Sequence, residues 1–202
     1  MAAELVLTYR LEERISLAVG AHSPHIERWT VSVLLDSPGD DRVDIGYAHV
    51  LVFTLKPGQN IGELADHTSG TWLDVESRPD AQPLPADLGA ASGKTTHILL
   101  LDRVWLDPAR RGCGLGPIVA AAAIARLGRG CHLAALYPAP FEGAPRQPQD
   151  QTHAVEALGR VWSKVGFRHW RDGVWMLDLT TDDIHTTLAD LAKAGSRVDP
   201  GP

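Results

Sequence analysis

Residues 98–127, ILLLDRVWLDPARRGCGLGPIVAAAAIARL, decide the fold. An apolar run rich in strand formers ends at Pro108. A short loop then carries Arg110, Arg111 and glycines at the alternate positions 112, 114 and 116, and an alanine-rich segment of helical character follows. The order strand, glycine loop, helix is an anion-binding junction. The first turn of a helix has amides without carbonyl partners and the positive end of the macrodipole. Gly112, Gly114 and Gly116 have no β-carbons to keep a phosphate from the backbone, and Pro117 suits a first helical position because it has no donor to waste. The dipole alone contributes about 0.3–1 kcal/mol per charge, up to ~2 when partly buried, so several amides and an arginine must act together to hold a pyrophosphate.

Two other phosphate-binding patterns fail on spacing. A dinucleotide fingerprint needs Gly-x-Gly-x-x-Gly and an acidic residue about 20 positions on. This loop reads Gly-x-Gly-x-Gly, and Cys131–Pro138 contains no carboxylate. Upstream, Gly89-Ala-Ala-Ser-Gly-Lys-Thr-Thr96 looks like a Walker loop, but it is one residue short between the glycines and leads into the strand-like His97–Leu101 where a helix is required.

The loop resembles the acyl-CoA-binding motif of the GNAT N-acetyltransferase superfamily, written Arg or Gln, x, x, Gly, x, Gly or Ala. Arg111, Gly114 and Gly116 fill it, Gly112 follows the arginine as it often does, and Leu106 and Pro108 fill the apolar-x-Pro upstream. The resemblance implies that the main chain from Arg111 through Gly112, Cys113, Gly114, Leu115 and Gly116 holds the coenzyme A pyrophosphate. It also implies that the strand backbone near Leu106 runs beside the pantetheine arm. A second match lies downstream: Val161-Trp-Ser-Lys-Val-Gly-Phe167 is similar to the stretch that closes the family's last core helix, and the hairpin ending Val174-Trp-Met-Leu-Asp-Leu179 to its final two strands. Together the matches cover about residues 98–179. Residues 1–97 fit loosely, because the family puts helices between its first and second strands and here the helical signal follows the third.

The length of 202 residues fits one domain: N-terminal strands, a helix and a loop over 1–97, a coenzyme-binding core over 98–179, and a C-terminal helix and tail over 180–202. With 44% hydrophobic and 22% charged residues the composition is that of a soluble globular protein. The net charge of −6 argues against nucleic acid or a membrane surface as the main partner, since both want a basic face. It is compatible with an amine substrate, although surface solubility is the simpler account. Two cysteines, Cys113 and Cys131, no signal peptide and no stretch long enough to span a bilayer point to the cytoplasm.

Along the chain, residues 4–19, 27–36 and 43–55 read as strands, the last two forming a hairpin on the sheet edge around Ser37-Pro-Gly-Asp-Asp41. Residues 61–75 have a helix-like start capped by Asn60, and 77–96 read as a loop rich in proline and glycine. After the 98–127 unit come a strand over 131–136, a helix over 152–165 with Gly166 as its cap, a hairpin from 168–170 to 174–179, and an amphipathic helix over 182–193. The expected fold is α/β: a mixed, largely antiparallel, GNAT-like sheet flanked by helices and splayed between the strands at 98–106 and 131–136. An exposed edge strand would offer pairing to a second copy, a homodimer.

The resemblance implies an acetyl-CoA-dependent N-acetyltransferase, with acetyl-CoA as co-substrate, a primary amine as acceptor and no metal. Deprotonating a lysine-like amine at pH 7 costs roughly 4.6 kcal/mol, and a general base contributes about 10²- to 10⁴-fold. Asp102 is the candidate base. Strand alternation puts it on the face of Leu100, Val104 and Leu106, barring a bulge, and family members that use a strand base tend to use that face. Its structural alternative is an ion pair with Arg103, Arg168 or another cation. Two positions depart from the family pattern: Trp162 stands where a tyrosine often protonates the leaving thiolate, and Val155 where an asparagine commonly contacts pantetheine. Ser163, Tyr137 or a water could supply the proton, or the thiolate could leave unassisted. The alternative is an acyl-CoA-binding sensor or scaffold with a degenerate catalytic site. The nine histidines show no metal-ligand spacing; His22 and His25 lack a third ligand nearby.

Overall fold

The computed structural model describes residues 4–12, 26–37, 41–55, 96–138, 148–171 and 174–195. Its centre is one seven-stranded sheet in the order β1-β2-β3-β4-β5-β7-β6. The strands are β1 (Glu4–Glu12), β2 (Ile26–Asp36), β3 (Val43–Leu55), β4 (Thr96–Leu106), β5 (Leu133–Leu136), β6 (Arg168–Arg171) and β7 (Val174–Asp178). Every pairing is antiparallel except β4 with β5, so the chain is mixed α/β with a largely antiparallel sheet. The one parallel step is made through the helix α1 (Leu115–Leu127), as a parallel pair requires a crossover. Two more helices follow, α2 (Pro148–Ser163) and α3 (Ile184–Gly195).

The helix α1 lies against the sheet through its alanines. Ala120, Ala121 and Ala123 are fully buried beside Val119 and Ile124, and small side chains let helix and strands approach closely. Leu99, Leu101 and Leu106 of β4, Ala48 and Val50 of β3 and Val31 and Val33 of β2 complete the same core. The aliphatic side chains of α3, at Ile184, Leu188 and Leu191, pack on it, and Trp162 and Val165 join from α2 and its end. A second, smaller core on the other face gathers Leu51, Phe53, Ile98, Leu100, Ala135 and Val174.

Local signals set the helix ends. At Gly166, φ is +105°, the Phe167 amide donates to the Trp162 carbonyl and the Gly166 amide to that of Ser163: the Schellman closure expected of a glycine there. The first turn of α3 is held by Asp183, which accepts from the amides of His185 and Thr186.

Several expectations shift. The first strand ends at Glu12, and residues 13–19 lie outside the described residues, as do the expected helix at 61–75 and all of the loop at 77–96 but Thr96, the first residue of β4. The hairpin of β2 and β3 is not at the sheet edge, because β1 pairs on its outer side. The fifth strand begins at Leu133, not at 131.

Candidate functional site

Two features of β4 create the site. On one side β4 pairs with β3 along its length, but the register slips between His49 and Val50: His49 faces Arg103 while Val50 faces Leu101. Asp102 is therefore an extra residue in β4, a β-bulge, and Asp102 and Arg103 together stand opposite His49. On the other side β4 pairs with β5 for three rungs only, Ile98 with Leu133, Leu99 with Ala134 and Leu100 with Ala135. From Leu101 to Leu106, β4 has no strand on that side among the described residues. The opening and the bulge begin at the same point.

The bulge corrects the alternation argument for Asp102. Leu100 belongs to the smaller core, whereas Val104 and Leu106 lie with the larger one on the opposite face. These residues do not share a face, because the inserted residue reverses the order of the side chains beyond it. Asp102 instead stands with His49 and Arg103. Burial raises its carboxyl above the ordinary 3.8, against the lowering pull of the Arg103 charge and of His49. His49 is half-buried, and burial lowers its imidazole below 6.5, with Asp102 opposing and Arg103 adding to the effect. The two groups thus sense each other, and their titration ranges are drawn together.

Next to this pair lies an aromatic tier. Tyr47 packs against His49 at 4.8 Å between ring centroids and stacks on Trp105 at 5.6 Å with 18° between the planes. The stack is possible because β3 comes very close to β4 at Gly46, where a β-carbon would sit 2.3 Å from the Trp105 carbonyl oxygen. Arg111 reaches back from the loop: its guanidinium carbon lies 5.8 Å from the centre of the Trp105 ring, and its Nε donates to the Leu106 carbonyl at 2.8 Å. The loop is thereby tied to the strand end. The Leu106 carbonyl keeps a second lone pair.

The loop itself is built by turn chemistry. Asp107 caps the short 3₁₀ turn Pro108–Arg110 by accepting from the Ala109 amide, and the Cys113 thiol donates to the Arg110 carbonyl at 3.0 Å. Gly112 and Gly114 both have left-handed backbone, with φ of +82° and +83°, which brings successive amides to one side of the chain. Gly114 is also the N-cap of α1 and offers no side chain to close it. Among the described residues, no carbonyl or side chain accepts from the amides of Gly112, Cys113, Gly114, Leu115 or Gly116. Among the described residues, added β-carbons at 112, 114 and 116 would meet nothing within 4 Å, so the side-chain side of each glycine is open. Between Pro108 and Gly116 the charged side chains are Arg110 and Arg111, with Asp107 just before them as the cap of the 3₁₀ turn.

Of the residues expected to act, Leu106, Arg111, Gly112, Cys113, Gly114, Leu115 and Gly116 are contiguous, running from the end of β4 into the first turn of α1. Asp102 sits on the same strand, four residues before Leu106. On α2, Trp162 is partly buried against the larger core, Val155 is partly buried, and Ser163, the candidate proton donor, donates its hydroxyl to the Gly159 carbonyl within the helix. Ion pairing of Asp102 with Arg168 is not seen; Arg168 lies near Asp182 at 3.8 Å. Sequence reasoning missed Tyr47 and His49. The available signal was a strand in which aromatic and imidazole side chains alternate with Ala48 and Val50, but assigning them a neighbour required the β3–β4 register. No group of three or more metal-ligating side chains gathers among the described residues. No helix among them is long and apolar enough to cross a membrane.

Comparison of the chain with protein-family models, with curated proteins and with solved structures returned no match.

Proposed function

We propose that the chain is a GNAT-like N-acetyltransferase that binds acetyl-CoA at the end of β4 and transfers the acetyl group to a primary amine by direct attack in a ternary complex. The observation that carries this is the run of amides from Gly112 to Gly116 that find no acceptor among the described residues, just past the flank of β4 that β5 does not pair. A diphosphate supplies several acceptors at once, and the helix dipole and Arg110 and Arg111 add to its binding. The unpaired flank of β4 between Leu101 and Leu106 is where an extended amide-bearing arm would lie alongside backbone donors and acceptors.

The chemistry then needs positioning more than strong acid–base groups. Holding thioester and amine together is worth about 7–11 kcal/mol. The test is calorimetric titration with acetyl-CoA, with ATP and NADH as phosphate-bearing controls, followed by thiol release with a panel of primary amines. Acetyl-CoA binding that the controls do not compete away, with amine-dependent thiol release, is the expected outcome. Failure of acetyl-CoA to bind overturns the proposal.

One observation favours a second function, an acyl-CoA sensor with little turnover. Neither side chain at the end of α2 offers a free acid, since Trp162 is an indole within the core and the Ser163 proton is engaged by Gly159. Tight binding without thiol release for any amine would select it.

A further inference from the structure

The bulge in β4 puts two groups able to take a proton side by side, and they are not equivalent. His49 projects from β3 on the face that carries Tyr47, Arg103 and Trp105, at the level where β4 opens. The Tyr47 ring, tilted by 33°, restricts one side of the imidazole. Asp102 is delivered to the same spot only because it is the inserted residue. We infer that His49 receives the proton of the attacking amine and that Asp102 is its positioning partner; this rests on the acetyl-transfer proposal above.

The charge balance decides between the two. As the amine nitrogen bonds to the acetyl carbon and the carbon–sulfur bond breaks, the nitrogen loses a proton. Taken by a neutral imidazole, that proton creates a cation beside the Asp102 carboxylate, so the new charge is stabilised where it forms. Taken by Asp102, it would remove the carboxylate charge that acts on both His49 and Arg103. From His49 the proton passes to the coenzyme thiolate, directly or through solvent, which leaves amide, thiol and neutral imidazole. Among the described residues, the groups facing His49 are Asp102 and Arg103 from β4, Thr30 from β2 with Arg28 one same-face position along, and Tyr47 on its own strand. Of these, Asp102 is the anion.

The experiment compares wild type, His49→Gln and Asp102→Asn in acetyl-CoA affinity, in the pH profile of thiol release with the amine most active in wild type, and in the imidazole titration followed by NMR. For His49→Gln the expected result is turnover lower by about 10²- to 10³-fold, loss of the acidic limb and acetyl-CoA affinity within twofold of wild type. For Asp102→Asn it is an acidic limb that persists at lower pH, with the His49 resonance titrating lower by NMR, because the carboxylate no longer stabilises the imidazolium. An unchanged acidic limb in His49→Gln, or its disappearance in Asp102→Asn alone, overturns the assignment. If wild type binds no acetyl-CoA, or binds it and releases no thiol, the transfer proposal itself fails and this assignment falls with it, even if the NMR coupling of the two side chains is observed. If wild type transfers acetyl groups and only the limb is misassigned, this assignment alone fails.

Discussion

The two halves of β4 are held differently by their neighbours. From Thr96 to Leu101 the strand is paired by β3 on one side and, at Ile98–Leu100, by β5 on the other, and its side chains enter the two cores alternately, Leu99 and Leu101 on the α1 face and Ile98 and Leu100 on the other. From Asp102 to Leu106 it keeps only β3 among the described residues, and one face bears Arg103 and Trp105 with Tyr47 and His49 opposite. The closed half supplies rigidity, and the open half presents one backbone edge that no strand pairs among the described residues. The bulge between them lets one strand serve two surfaces, because it shifts the core face from odd to even positions at the place where the pairing changes.

The strongest test of this contrast is a pair of truncations. Leu99→Ala, at a fully buried site in the closed half, should lower the free energy of unfolding by about 2–5 kcal/mol, while Val104→Ala in the open half, where the side chain is half-buried, should cost about 1 kcal/mol. Urea denaturation measures both. Equal losses would show that the open half is as much a part of the core as the closed one.

The loop offers a sharper separation of stability from binding. Gly114→Val places a branched side chain at φ of +83°, so it should cost about 1–2 kcal/mol of stability as well as removing acetyl-CoA binding. Gly116 has ordinary backbone and lies in the first turn of α1 under open space, so Gly116→Ala should raise stability by about 0.5–1 kcal/mol through helix propensity alone. The same methyl group would stand where the diphosphate is proposed to sit. Acetyl-CoA affinity should therefore fall about tenfold or more, in calorimetry, as thermal stability rises. Raised stability with unchanged affinity would separate the loop from the coenzyme.

The closed-half architecture was legible from sequence because its signals are local. The strand-loop-helix unit, the stop at Gly128 whose amide donates to the Ile124 carbonyl, and the closure at Gly166 each depend on residues within a few positions of one another. The open half was not. A bulge is a property of two strands in register, and nothing around Asp102 announces that β3 will skip a residue there. The same holds for His49 and Tyr47, whose partners on β4 are distant in sequence, and for β1, whose place outside the β2–β3 hairpin depends on a pairing no local pattern specifies. The glycine loop could be located without the fold, but the neighbours of Asp102 could not.

The titration of the Asp102 and His49 pair has opposite effects on stability at the two ends of the pH range. Burial raises Asp102, so the folded chain holds this proton more tightly than the unfolded one. Its stabilising contribution is complete below the unfolded value near 3.8 and is lost as pH rises through the folded one. Burial lowers His49, so its contribution is complete above 6.5 and is lost as pH falls through the folded value. Relative to wild type, Asp102→Asn should gain stability between pH 4 and 7, and His49→Gln should gain it as pH falls from 7 to 5. Denaturant curves across that range measure both, and a difference independent of pH in either variant would mean that the side chain is fully hydrated.

The smallest effect is a contrast in thiol reactivity. Cys131 leads into β5 beside the closed half; it is 8% exposed, and burial, with Glu27 adding, pushes its thiol up to about 11. At pH 8 only about one molecule in a thousand then carries the thiolate, the form that iodoacetamide attacks. Cys113 is half-exposed in the loop at the open half, where its sulfur faces the Arg110 carbonyl. Brief alkylation followed by mass spectrometry should therefore find Cys113 modified and Cys131 intact, and acetyl-CoA should slow the labelling of Cys113 without changing Cys131. Protection needs no turnover, so it reports occupancy of the loop for an enzyme and a sensor alike. Labelling of Cys131 at a comparable rate would show that the paired half of β4 opens to solvent, and the division of the strand into a closed and an open half would then be one of degree.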